Sequence, residues 1–188
     1  MNRGMLDHGK VVWGSNAHIS SLNDWSDAEI VHLAMVAHED MVEAHGNVRW
    51  GSEHSKVPRN ARQKEPGVTT VLVVDNTAYI STSAKGGQFL YFREGSANRY
   101  KQLDPSRPCH GTVQTALLNC QARTAEGWGH RTGASCGEIW ATLSFCNKGS
   151  ERDLDGARVV TVNTKRKTDI TQIAHPCGDE SDPKVNPS

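Results

Sequence analysis

Residues 68–83 read VTTVLVVDNTAYISTS, two β-rich runs split by Asp75-Asn76. Val, Thr, Ile and Tyr favour extended backbone, and an Asp-Asn pair tolerates the positive φ of a tight two-residue turn. This stretch predicts an antiparallel hairpin, Val68–Val74 with Thr77–Ser83, and so a sheet at the centre of the fold. Upstream, Ser26 followed by Glu29 forms a capping box, and Trp25 can pack on Ile30 to set the angle at which the chain enters a helix. Ile30, Leu33, Ala34, Ala37 and Met41 share one face of that helix, and Gly46 ends it. The first 25 residues carry Gly4, Gly9 and Gly14 without a period and read as an irregular lead-in. Residues 47–67, with Gly51, Pro58 and Pro66 among charges, read as a connector.

Downstream, Gln88–Phe92 reads as a further short strand. Val113, Ala116, Leu117 and Cys120 have helical spacing after Gly111. A second Ser-x-x-Glu box, Ser135 to Glu138, predicts a helix through Ile139, Leu143 and Cys146 to Gly149. Ala157–Val162 reads as a β-branched strand, followed by Lys165-Arg166-Lys167, a short segment at 168–174, and His175-Pro176-Cys177-Gly178-Asp179. The order predicts an α/β domain over residues 26–180 with a tail at 181–188.

The chain has 188 residues, 21 basic and 21 acidic side chains and 36% hydrophobic residues. That is the size of one domain. Net neutrality removes the global pull toward nucleic acid or anionic membrane, and no apolar run approaches the ~18–20 residues that span a bilayer. No signal-peptide core precedes Ser15, so the expected location is cytoplasmic or nuclear. Neutrality conceals a basic middle: residues 56–101 hold eight Lys/Arg against three Asp/Glu. The five cysteines, at 109, 120, 136, 146 and 177, are odd in number and absent from the first half. They read as reduced thiols or metal ligands rather than a disulfide framework, with Cys109, Cys120 and Cys146 as ordinary thiols.

Cys136 and Cys177 stand at predicted helix starts. Free amides and the positive end of the helix dipole favour a thiolate there. Glu138, one turn into the helix, is placed to carry a proton beside a metal-bound water without ligating the metal. Pro176 suits a first helical position, so Cys177 projects from a helix start as well. The alternative for Glu138 is a capping role with Ser135, and buried cysteines are ordinary core residues.

Cys136-Gly137-Glu138, an intervening strand, and Pro176-Cys177 together resemble the cytidine-deaminase-like zinc deaminase superfamily, whose signature is His-or-Cys, one residue, Glu, then Pro-Cys-x-x-Cys. The chain looks most like the toxin-type, YwqJ-like branch, over roughly residues 26–179. The resemblance implies a three-layer α/β/α sandwich with a mixed sheet, short at its C-terminal edge. It implies Zn²⁺ held by Cys136 and Cys177, and Glu138 as catalytic residue. Where the family has a second cysteine three residues after Cys177, this chain has Glu180, so His175, Asp179 or Glu180 is expected to complete the site. The implied substrate is a nucleobase, nucleoside, nucleotide or single-stranded nucleic acid. A basic rim from residues 56–101 and Lys165–Lys167, with Tyr91, Phe92 and Tyr100, would suit nucleic acid. A catalytically inactive binding or effector module on the same fold is the first alternative.

A second alternative is a Cys-His thiol hydrolase pairing Cys136 with His110, His130 or His175. The first helix carries His32, His38 and His45; His38 and His45 lie ~10 Å apart along its axis and cannot share one metal. Glu39 follows His38, but Val42 stands where a His-Glu-x-x-His metalloprotease needs histidine. An open sheet edge would allow pairing between copies of the chain.

Overall fold

The computed structural model describes residues 2–6, 10–47, 65–85, 103, 107–122, 135–148, 154–165 and 170–174. They form an α/β fold built on one antiparallel sheet. The strands are β1 (Asn2–Leu6), β2 (Lys10–His18), β3 (Val68–Val74), β4 (Thr77–Thr82), β5 (Arg158–Lys165) and β6 (Ile170–Ile173). The helices are α1 (Asp27–Asn47), α2 (Pro108–Ala122) and α3 (Gly137–Asn147). The sheet order is β1-β2-β4-β3-β5-β6. Each pairing among the described residues is antiparallel, so there the mixed sheet expected from the resemblance is corrected to an antiparallel one.

The central hairpin forms as expected. Val74 pairs with Thr77 across Asp75-Asn76, and Asp75 takes the left-handed conformation at φ 51°. Because successive strand residues face opposite sides, β3 and β4 supply two cores. Val71, Val73, Ala78 and Ile80 join Val162 against Ile30, Ala34 and Ala37 of α1. Leu72, Val74 and Tyr79 join Ala141, Leu143 and Phe145 of α3, with Val113 and Leu117 of α2 packed alongside. At the start of α1 the capping box closes both ways: the Ser26 amide donates to Glu29 Oε2 at 2.7 Å, and the Glu29 amide to Ser26 Oγ at 3.3 Å. The Ser26 amide first, and then the Ser26 hydroxyl, which donates to the same carboxylate oxygen at 2.8 Å, hold the Glu29 carboxyl below its ordinary pKa. Trp25 packs beside Ile30 in the same cluster.

Two expectations fail here. The N-terminal segment read as irregular contains β1 and β2, and β2 pairs with β4 from Gly14↔Ser81 to His18↔Thr77. Glycine in this segment serves packing and not irregularity: a Cβ on Gly14 would lie 3.3 Å from the Ile80 carbonyl, so glycine there eases close strand packing. β1 and β2 therefore belong to the same sheet as the strands that follow residue 26. The second departure is α2, which begins at Pro108 and contains Gly111, so that glycine is internal to the helix. The Gln88–Phe92 strand and most of the 47–67 connector lie outside the described residues.

Candidate functional site

The start of α3 sits directly on the sheet. Cys136 is the N-cap residue, at φ −70° and ψ 153°, and makes no side-chain capping bond. The next residue has to be glycine for steric reasons. A Cβ on Gly137 would meet the Thr70 hydroxyl, lie 3.0 Å from Thr70 Cβ and lie 3.2 Å from the Ser81 carbonyl. Ser135 anchors the approach by accepting the Ala84 amide at 2.9 Å. The Cys-Gly-Glu spacing thus matches a helix pressed end-on against β3 and β4.

Glu138 does not close a capping box with Ser135, and that expectation is corrected. Its Oε1 instead accepts from Thr161 Oγ1 of β5 at 2.7 Å. Thr161 is 2.8 Å from Thr70 Oγ1, and these two residues are register partners on β3 and β5. Glu138 is thereby held over the sheet, one residue past the glycine contact. Strand alternation puts Ser83 and Asn163 in the next cross-strand row on the same face, and Ser83 Oγ and Asn163 Oδ1 are buried without a hydrogen-bond partner. Buried polar atoms without a partner among the described residues are uncommon, and these two share the sheet face that carries Thr70 and Thr161.

Cys136 contributes a half-buried thiol at that point. A thiol at a helix start suits zinc, and an adjacent carboxylate engaged elsewhere suits a proton carrier. Cys136 is therefore a competent donor. Cys177, His175, Asp179 and Glu180, the other donors implied by the resemblance, lie outside the described residues. No cluster of three or more His, Cys, Asp or Glu forms among the described residues.

The histidines separate clearly. His110 is buried in α2, and its Nε2 lies 3.1 Å from Asn147 Oδ1 at the far end of α3. At 1.5 Å per residue that end is ~16 Å along the helix from Cys136, so a Cys136-His110 dyad does not form. His130 and His175 lie outside the described residues. His38 is buried on the opposite face of the sheet, with Nδ1 3.0 Å from Thr69 Oγ1 and Nε2 2.6 Å from Thr164 Oγ1. Burial lowers its pKa, against a smaller opposing effect of Glu65 and Glu39. His45 packs edge-on to Trp13 with ring centroids 6.1 Å apart.

Cys109 and Cys146 are joined in a disulfide with Cα atoms 5.5 Å apart, which overturns their reading as ordinary reduced thiols. The bridge ties the first turn of α2 to the last turn of α3. Arg107 strengthens the same junction: its guanidinium donates to Asn147 Oδ1 at 3.1 Å and to the Cys146 carbonyl at 3.0 Å. A positive side chain on the final carbonyls of a helix complements the dipole. Nothing in the 37-residue separation announced this pairing, because it depends on the approach of two helices.

Of the basic residues assigned to a rim, Lys85 and the backbone of Lys165 are described, while Arg166, Lys167 and the aromatics at 91, 92 and 100 lie outside the described residues. No helix among the described residues is long and apolar enough to cross a membrane. Compared with protein-family models, curated proteins and solved structures, the chain matches none.

Proposed function

We propose that this chain is a zinc-dependent, deaminase-like domain that hydrolytically removes an amino group from a nucleobase, free or within a nucleoside, nucleotide or single strand. The observation carrying this reading is the Cys136-Gly137-Glu138 helix start, seated on the sheet with the Glu138 carboxylate held by Thr161. The element order lends support: α1, the β3–β4 hairpin, then, after the intervening α2, the Cys-x-Glu helix α3 and a strand, β5, that pairs beside the first hairpin strand. Helices on both sheet faces fit the layered sandwich of the resemblance.

In this reading Cys136 holds the metal, with Cys177 and one of His175, Asp179 or Glu180. Bound zinc supplies Lewis-acid activation of water. Glu138 takes up the proton and delivers it to the departing amine nitrogen. Thr161 engages Oε1, which leaves Oε2 for the transfer. The α3 N-terminus favours negative charge at Cys136 through its unpaired amides. The basic residues of 56–101 and Lys165–Lys167 would track a phosphate backbone if the substrate is a nucleic acid strand.

The Cys109–Cys146 disulfide bears on where this chemistry takes place. Disulfides persist in oxidising compartments and are rare in the reducing cytosol, which favours an exported protein over the cytoplasmic or nuclear location expected from the sequence.

The test is metal analysis of the purified full chain together with ammonia release from cytidine, adenosine and single-stranded oligonucleotides. Stoichiometric zinc is expected, lost in Cys136→Ala. Glu138→Gln is expected to keep the zinc and lose about 10²–10⁴-fold in rate, the range for a positioned proton carrier. Folded wild-type protein that takes up no zinc would overturn the catalytic reading and leave a non-catalytic binding module.

A further inference from the structure

Thr70, Thr161 and Glu138 form a hydrogen-bond chain with a defined direction. From it we infer that Thr161, backed by Thr70, is a positioning residue that fixes the Glu138 carboxylate before substrate arrives. The inference rests on the proposed role of Glu138 as proton carrier.

A carboxylate oxygen accepts, so the single hydroxyl hydrogen of Thr161 is committed to Glu138 Oε1 at 2.7 Å. The 2.8 Å contact between the two threonine oxygens must then use the hydrogen of Thr70. Both threonines are buried, at 0% and 4% exposure, so the bond between them is shielded from water, while the bond to the half-buried Glu138 carboxylate is partly shielded. Both stand on paired strands in direct register, and β-branching restricts their χ1 rotation. The absence of a side chain on Gly137 lets α3 come down onto Thr70 and puts Glu138 within reach. One carboxylate oxygen is therefore anchored to the rigid centre of the sheet, and the direction of the other follows from it.

The experiment compares wild type, Thr161→Val, Thr161→Ser and Thr70→Val in the full chain by NMR and by ammonia release. In wild type, a slowly exchanging Thr161 hydroxyl proton with a cross-peak to the Glu138 side chain is expected, with Glu138 in one rotamer. Thr161→Val should average the Glu138 rotamers and lower kcat about 10–100-fold, the usual effect of losing a partner that orients a site residue, with KM changed by less than about 3-fold. Thr161→Ser should restore both the rotamer and the rate, and Thr70→Val should give an intermediate loss. A folded Thr161→Val protein that keeps a single Glu138 rotamer overturns the inference. So does one that keeps wild-type kcat while Glu138→Gln is inactive, and in that case the functional reading stands. If Glu138→Gln releases ammonia at the wild-type rate, the functional reading fails, and the rotamer measurement alone decides the positioning of Glu138.

Discussion

Gly137 and His38 show how much single residues carry on the two faces of the sheet. Gly137→Ala forces a methyl against Thr70 and the Ser81 carbonyl, neither of which is the end of a flexible side chain. The expected loss is about 1–3 kcal/mol, read as a lower urea midpoint, and Glu138 is displaced with the helix start. His38 bridges β3 and β5 through Thr69 and Thr164, and Thr164 lies 3.1 Å from Thr171 of β6. A neutral imidazole offers one donor and one acceptor to these hydroxyls, and burial keeps it neutral by lowering its pKa. The unfolded chain then binds the proton more readily than the folded one. Stability from this site is full above the ordinary histidine pKa of about 6.5 and is lost as pH falls below it. Urea midpoints measured from pH 7.5 to 5 should decline in wild type, and His38→Gln should flatten that part of the decline. Glu138 was legible as the residue to watch, but its partner was not: a carboxylate three residues after a serine satisfies the capping pattern equally well, and only the approach of β5 brings Thr161 to it.

At the scale of elements, the strongest constraint outside the sheet is the α2–α3 junction. A bridge between residues 37 apart removes chain entropy from the unfolded state worth about 4 kcal/mol. Reduction, or Cys109→Ser with Cys146→Ser, should lower the urea midpoint accordingly. Intact mass under non-reducing conditions should be about 2 Da below the fully reduced mass, the two hydrogens lost when a disulfide forms. Arg107→Ala should weaken the same junction by a smaller amount, since it removes hydrogen bonds to Asn147 and the Cys146 carbonyl and leaves the bridge intact. The local signals for α1 were nearly complete: its cap and its apolar face lie in consecutive sequence, while Gly46, expected to end the helix, is internal to it, since α1 runs to Asn47. Those for β1 and β2 were weak, because three glycines masked the short Val11-Val12-Trp13 run and β4, the strand that joins β2 to the rest of the sheet, lies far along the chain, with Gly14 opposite Ser81 and His18 opposite Thr77.

For the whole molecule, the sheet order predicts a gradient of local stability. β3 is paired on both sides and covered by α1 on one face and α3 on the other, whereas among the described residues β1 and β6 each pair on one side only. Amide exchange should be slowest in Val71–Val73 and fastest in β1 and β6, with the edge strands opening without global unfolding. Equal protection of β6 and β3 would show that something covers that edge, and a second copy of the chain paired there would be the first candidate. What the sequence determined by itself is what short-range periodicity and turn chemistry encode: the capped helix α1, the Asp75-Asn76 hairpin, the helix beginning at Cys136 and the strand after it. Tertiary structure alone decided which strands neighbour one another, that Cys109 meets Cys146, that His110 stands at the wrong end of α3 for Cys136, and that Glu138 turns to Thr161. Each of these is a contact between residues far apart in the chain, and its energy depends on a distance that no local pattern specifies.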